Sequence, residues 1–201
     1  MAPQLAVLTE HAPMSFEHRT DRQRAFELIK ERSFGRGEIT LASGRKSDFY
    51  FNLKPTMMSP EGSNVLAALI LARLDPLNID YIGGLVMGAV PLIGPVTHLS
   101  FLKGKPLPGF FVRERAKTHG TMQLVEGVSE GELKGKNVVI LDDVTTSGGS
   151  AMIAVNEAKA MGANVVMVLS VVDREEGARE FYRERNIKFD AFFSASDFLK
   201  S

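Results

Sequence analysis

Residues 138–150 of this chain, VVILDDVTTSGGS, constrain its fold more than any other stretch. The continuous apolar run predicts a buried strand over 137–141 with both faces covered. Two acids follow, then a loop of hydroxyls and glycines that opens a helix predicted over 150–161 and closed by Gly162. In open α/β sheets ligands bind beyond the carboxyl ends of the strands, where this loop falls. Glycines let the backbone approach a phosphate, and the free amides of a helix start supply donors at a positive dipole end. Thr145, Thr146, Ser147 and Ser150 add hydroxyls. Two adjacent carboxylates would repel a phosphate, so Asp142 and Asp143 must face something else: ribose hydroxyls or a phosphate-bound Mg2+. The loop is no Walker A motif, since it has neither the lysine nor the spacing, and Gly-x-Gly-x-x-Gly is absent. A plain strand–turn–helix would use the same capping residues but would give the paired acids no purpose.

The rest of the chain repeats the alternation. Helices are predicted over 19–32, from 60 (after the start signal Ser59-Pro60-Glu61) to about 74, over 89–101 and over 175–185. Apolar strands are predicted over 81–86, 109–112, 164–172 and 187–193, with a polar loop over 113–131. The expected fold class is α/β: a central, mostly parallel sheet flanked by helices. Residues 34–53, punctuated by Gly35, Gly37 and Ser43-Gly44, read as hairpins that do not fit such a sheet and form a separate flap. Residues 1–17 read as a ragged extension, and 18–201 as one domain whose hood is mainly 34–57.

Charge and cysteine content narrow the function classes. Lys+Arg and Asp+Glu balance at 24 each in 201 residues, which gives no reason to expect nucleic acid or an anionic membrane as partner. The chain has no cysteine, which excludes disulfides, thiolate zinc sites and a cysteine nucleophile and agrees with a reducing cytoplasm. No apolar run approaches the roughly 18 residues of a membrane span, and the first residues carry no leader pattern.

Three further segments carry chemistry. Arg113, Arg115, Lys117 and His119, closed by Gly120, suit an anion as dense as pyrophosphate, on a long loop with the character of a lid. A solvated charged loop is the ordinary alternative. Leu41–Asn52 is written LASGRKSDFYFN: a basic hairpin followed by aromatics that either stack on a planar ring or fill a core. Arg174, in VVDREEG after a strand end, either contacts a ligand or makes a salt bridge at a helix start. Residues 83–91, GGLVMGAVP, follow another strand and offer backbone amides.

Together these segments, in this order over about 34–198, resemble the type I phosphoribosyltransferases, which bind 5-phosphoribosyl 1-pyrophosphate (PRPP). The Arg-x-x-Ala-Lys-x-His-Gly and Leu-x-Ser-Gly stretches narrow the resemblance to the orotate phosphoribosyltransferases. The resemblance implies the family's fold with an N-terminal hood, transfer from PRPP to orotate in pyrimidine biosynthesis, Mg2+, and a homodimer with shared active sites. It implies that Asp142 and Asp143 meet the ribose, that Thr146, Ser147, Gly148, Gly149 and Ser150 hold the 5′-phosphate, and that Val144 and Thr145 belong to the same PRPP site. Arg113, Lys117 and His119 would meet the pyrophosphate, with Glu114 also in the PRPP site, and Lys117 and His119 with the two acids being the catalytic set. Tyr50, Phe51, Thr146 and Arg174 would meet orotate, and the metal would come with PRPP rather than be held directly by the protein. Ala42 stands where many members have a lysine, leaving Lys46 or Lys54 as its substitute unless that contribution is missing. A different acceptor base and a PRPP-sensing regulator are the competing expectations.

Overall fold

Because their apolar residues run without interruption, the central strands can be satisfied only between two layers. The computed structural model describes residues 21–40, 46–114 and 124–200. Within these, β3 (Tyr81–Gly83), β6 (Asn137–Thr145), β7 (Asn164–Asp173) and β8 (Phe189–Ser194) form a sheet in the order β3-β6-β7-β8. Every pairing in it is parallel. The short β4 (Phe111–Val112) pairs antiparallel with β5 (Val125–Glu126). Parallel bridges Ile82↔Gly109 and Leu85↔Val112 lay the β4 segment along the outer edge of β3.

The period-2 alternation of the strands divides the core in two. Val139 and Leu141 of β6 and Met167 and Leu169 of β7 point to one face, where they meet Ile29 of α1 (Asp21–Arg32), Leu66 and Ile70 of α3 (Pro60–Leu74) and Val96 of α4 (Val90–Leu102). Val138 and Ile140 point to the other face, against Ala151, Ala154 and Val155 of α5 (Gly149–Ala160) and Tyr182 of α6 (Ala178–Arg183). As its start signal predicts, α3 is capped by Ser59, whose Oγ accepts from the Gly62 amide at 3.1 Å.

The hairpin of β1 (Phe34–Thr40) and β2 (Lys46–Phe51) stands apart from the sheet, joined to α3 through the single turn α2 (Lys54–Met57). It is fastened by aromatic rings rather than by strand pairing. Phe34 and Phe51 lie 5.1 Å apart and both pack on Phe198 of α7 (Ala195–Leu199), itself stacked at 4.5 Å on Phe26 of α1. The chain's last helix thus holds its first hairpin.

Several boundaries differ from expectation. The first sheet strand stops at Gly83 rather than 86, because the chain turns there to cross the end of β6. Strand β6 runs past the acids to Thr145, since β7 keeps pairing with it through Thr145↔Asp173. The stretch 113–131 contains β5, which only its non-local partner β4 makes a strand. Helix α6 begins at Ala178 rather than 175, because Glu175 and Gly177 have φ of 60° and 102°. No helix among the described residues is long and apolar enough to cross a membrane.

Candidate active site

The difference in length between β3 and β6 makes the site. Strand β3 covers β6 only from Val138 to Ile140, so Asp142 and Asp143 emerge beyond its end while β7 supports their other side. The segment after β3 folds across the gap. A Cβ on Gly84 would come within 2.5 Å of the Leu141 carbonyl, and one on Gly88 within 2.4 Å of Asp143 Oδ1. Glycine at both positions is what lets the 84–88 backbone lie against the acids. The Val86–Met87 peptide bond in this crossing is cis.

The two acids are held in poorly hydrated surroundings. Burial pushes the Asp142 carboxyl up to about 7, against a lowering by the hydrogen bond that Thr145 Oγ1 donates to its Oδ2 at 2.7 Å. The neighbouring Asp143 adds to the rise. Burial also raises Asp143, opposed by the Val144 amide and by the charge of Lys54 at the start of α2. A ligand presenting hydroxyls or a cation would therefore relieve both groups.

The loop that follows is open. Thr145 is buried with its hydroxyl committed to Asp142, and Val144 packs its side chain toward the core, so both can offer a ligand only their backbone. Ser147, Gly149 and Ser150 are exposed, and Thr146 is half-buried. Gly148, the residue before α5, has φ of 92°. The first amides of α5 lack intrahelical partners and belong to the anion-binding end of the helix.

Arg174 sits beside this loop, its amide donating to the Thr145 carbonyl at 2.9 Å. The side chain is buried, 5% exposed, and held on three sides. Its Nε donates to Glu176 at 2.8 Å, an NH2 group donates to Ser47 Oγ at 3.2 Å, and the guanidinium lies 4.6 Å from the centre of the Phe49 ring. Of the two sequence expectations for Arg174 the structure shows the salt bridge, and that ion pair orients the arginine toward the hairpin.

That geometry reorders the aromatic residues. Strand alternation puts Phe49 and Phe51 on one face and Tyr50 on the other. Phe51 is taken up by the Phe34–Phe198 cluster, while Tyr50 is 41% exposed and lies over Gly35. Phe49 is the ring against Arg174, and neither it nor Ser47 was singled out by sequence reasoning. The alternation signals that Phe49 and Phe51 share a face, but which face meets Arg174 is set by a contact across the whole chain.

Among the basic residues, Arg113 follows β4 directly, and its Nε bonds Glu126 at 2.9 Å while its amide donates to Leu124. Glu114 is exposed. Lys117 and His119 lie outside the described residues, as does Ala42. Lys46 is exposed and bonded to Glu38 on the hairpin, whereas Lys54 is the lysine whose charge reaches Asp143. No group of three or more acid or histidine side chains able to hold a metal occurs among the described residues.

A parallel sheet whose strand β6 carries two acids beyond the end of β3 and leads into a glycine loop and a helix start, with a second backbone loop against the acids, fits a phosphorylated sugar. Residues 59–193 match the phosphoribosyl transferase domain family. Over 181 residues the chain is 56% identical to the orotate phosphoribosyltransferase of Bradyrhizobium diazoefficiens, covering 90% of this chain and 97% of that one. The Sorangium cellulosum orotate phosphoribosyltransferase is 38% identical over 187 residues, 92% of this chain and 97% of the other. Among solved structures, the Mycobacterium tuberculosis orotate phosphoribosyltransferase with Fe(III) dicitrate superposes with a TM-score of 0.76 at 31% identity, over 89% of this chain and 98% of that one. The same enzyme in complex with PRPP gives 0.73 at 29% identity, with the same coverage. This chain belongs to the phosphoribosyltransferase family and, within it, to the orotate phosphoribosyltransferases.

Proposed function

We propose that this chain transfers the phosphoribosyl group of PRPP to a ring nitrogen of orotate, giving orotidine 5′-monophosphate and pyrophosphate. The observation that carries this reading is the joint between two half-sites: the Thr145 carbonyl at the end of the acid pair accepts from the amide of Arg174, whose side chain faces Phe49. A donor sugar on the acids and a planar acidic ring beside Arg174 would then lie next to one another, as group transfer requires.

In the reaction the bond from the anomeric carbon to pyrophosphate oxygen breaks, the bond to nitrogen forms and the nitrogen's proton passes to the released pyrophosphate, so positive charge develops on the ribose and negative charge on the leaving group. Asp142 and Asp143 hold the ribose hydroxyls. The 5′-phosphate rests on the amides and hydroxyls of 146–150. Arg113, Lys117 and His119 neutralise the pyrophosphate, and the 84–88 backbone supplies further donors to it. Arg174 pairs with the carboxylate or a ring carbonyl of orotate, with Phe49 extending the flat wall that Tyr50 and Phe51 were expected to provide.

The residues present fit an Mg2+ that arrives on PRPP, because two raised carboxylates standing side by side gain from a nearby cation. When bound, the ion would supply charge neutralisation to the pyrophosphate. The reading extends to a cytoplasmic homodimer in which residues 113–123 serve the neighbouring subunit's site, a point checked by the molar mass in solution.

The direct test is the loss of orotate absorbance on mixing the chain with orotate, PRPP and Mg2+. Consumption of orotate with equimolar pyrophosphate is expected; a purine consumed in its place, or PRPP bound without turnover, would sink the assignment. In the same assay Lys117→Ala should lower kcat about 100-fold or more, the scale of removing one group that neutralises transition-state charge.

A further inference from the structure

We infer that Tyr182 of α6 is a positioning residue for the phosphoribosyl donor, acting through the Gly148 carbonyl to aim the phosphate-binding amides; this rests on the function proposed above. Tyr182 is fully buried, its ring stacked 5.0 Å from Phe189 and edge-on to Phe181 at 5.3 Å. A buried phenol needs a hydrogen-bond partner. Its hydroxyl reaches 34 residues back along the chain and donates to the Gly148 carbonyl at 2.8 Å.

That bond is not needed to satisfy the carbonyl, which already accepts from the Met152 amide at 3.2 Å. Its consequence is directional. A trans peptide unit is planar, with its C=O and N–H pointing opposite ways. Holding the Gly148 oxygen down on Tyr182 therefore turns the Gly149 N–H upward, away from the core and onto the exposed face of the loop. Gly149 opens α5, so this amide is among those without an intrahelical acceptor.

The rings also form the floor that fixes the loop's height. A Cβ on Gly148 would lie 2.8 Å from Phe181 Cδ1 and 3.0 Å from the Tyr182 ring, at a φ of 92°. The loop backbone rests directly on the two aromatics. The phosphate half of the site is thus aimed from below by α6.

The test is Tyr182→Phe, which keeps the ring and leaves no buried group without a partner. The KM for PRPP should rise about three- to tenfold, the span of one lost hydrogen bond. The inhibition constant of ribose 5-phosphate should rise by the same factor. The KM for orotate, kcat and the inhibition constant of pyrophosphate should stay within about twofold. A lower melting temperature with unchanged PRPP and ribose 5-phosphate constants, an equal rise for both substrates, or a chain that no longer folds would each overturn the inference, since a residue acting through one carbonyl leaves fold and acceptor site standing. Should the unaltered chain consume no orotate, the proposed function falls, but calorimetric binding of ribose 5-phosphate to the two chains still decides the role of Tyr182.

Discussion

The two halves of the site are built by opposite means. The donor half, Asp142 to Ser150, is one unbroken stretch whose shape comes from backbone: parallel pairing with β7 past the end of β3, a left-handed glycine and a helix start. Its internal side-chain bond, Thr145 to Asp142, spans 3 residues. The acceptor half is put together from distant pieces. Arg174 meets Ser47 across 127 residues, and the hairpin carrying Ser47 and Phe49 is fixed to the rest of the molecule largely by rings from α1 and α7. A backbone-defined half tolerates change around it. A half defined by long-range side-chain contacts can be retuned by single substitutions, so under the proposed function acceptor choice is the adjustable property.

The sharpest way to break that contrast is Arg174→Lys. Lysine keeps the charge but loses the planar fork that binds Glu176 and Ser47 at once and lies on Phe49. The KM for orotate should rise on the order of tenfold or more while the KM for PRPP stays near its original value. Equal loss for both substrates would show that the halves are not separable. A smaller version is Ser47→Ala, which removes only the contact between Arg174 and the hairpin. An increase of about two- to threefold in the KM for orotate alone is expected. If the change is absent, Glu176 and Phe49 suffice to hold the arginine.

The same contrast explains what was legible in the sequence. The donor loop could be read because each of its elements is local: apolar run, acids, glycines, helix start. Ser59-Pro60 announced α3 for the same reason. Where a boundary depends on a partner strand, the sequence misled. Strand β6 outlasts its apolar run because β7 continues beside it, and β5 is a strand only opposite β4. That Phe49 rather than Tyr50 or Phe51 lies against Arg174 is a tertiary fact with no local signal. Helix α7 was missed despite a local signal, Ser194 with Asp197 three residues on, whose carboxylate accepts from the Ser194 amide at 2.8 Å. Its consequence, Phe198 at the centre of the hairpin's anchor, could not have been read locally.

The smallest expected effect tests the donor half in the absence of ligand. Burial raises the Asp142 carboxyl from the ordinary carboxylate range to about 7. A group raised in the folded state favours folding only while it is protonated. Its contribution is complete below the ordinary carboxylate value and is lost as pH rises through about 7. At pH 8 the unliganded protein therefore holds a carboxylate whose charge burial disfavours. Asp142→Asn removes that charge while keeping an oxygen for Thr145. Without ligand, the variant's melting temperature at pH 8 should exceed that of the original chain by on the order of 5 °C, and the gap should close as the pH is lowered toward 4. A gap that is absent, or that widens toward acid, would mean the carboxyl is well hydrated and that the acids carry no cost before the donor arrives. If the gap is found, the stability forgone at Asp142 is what a ribose hydroxyl or a cation restores on binding. The donor half, although set by backbone, is then completed by its ligand.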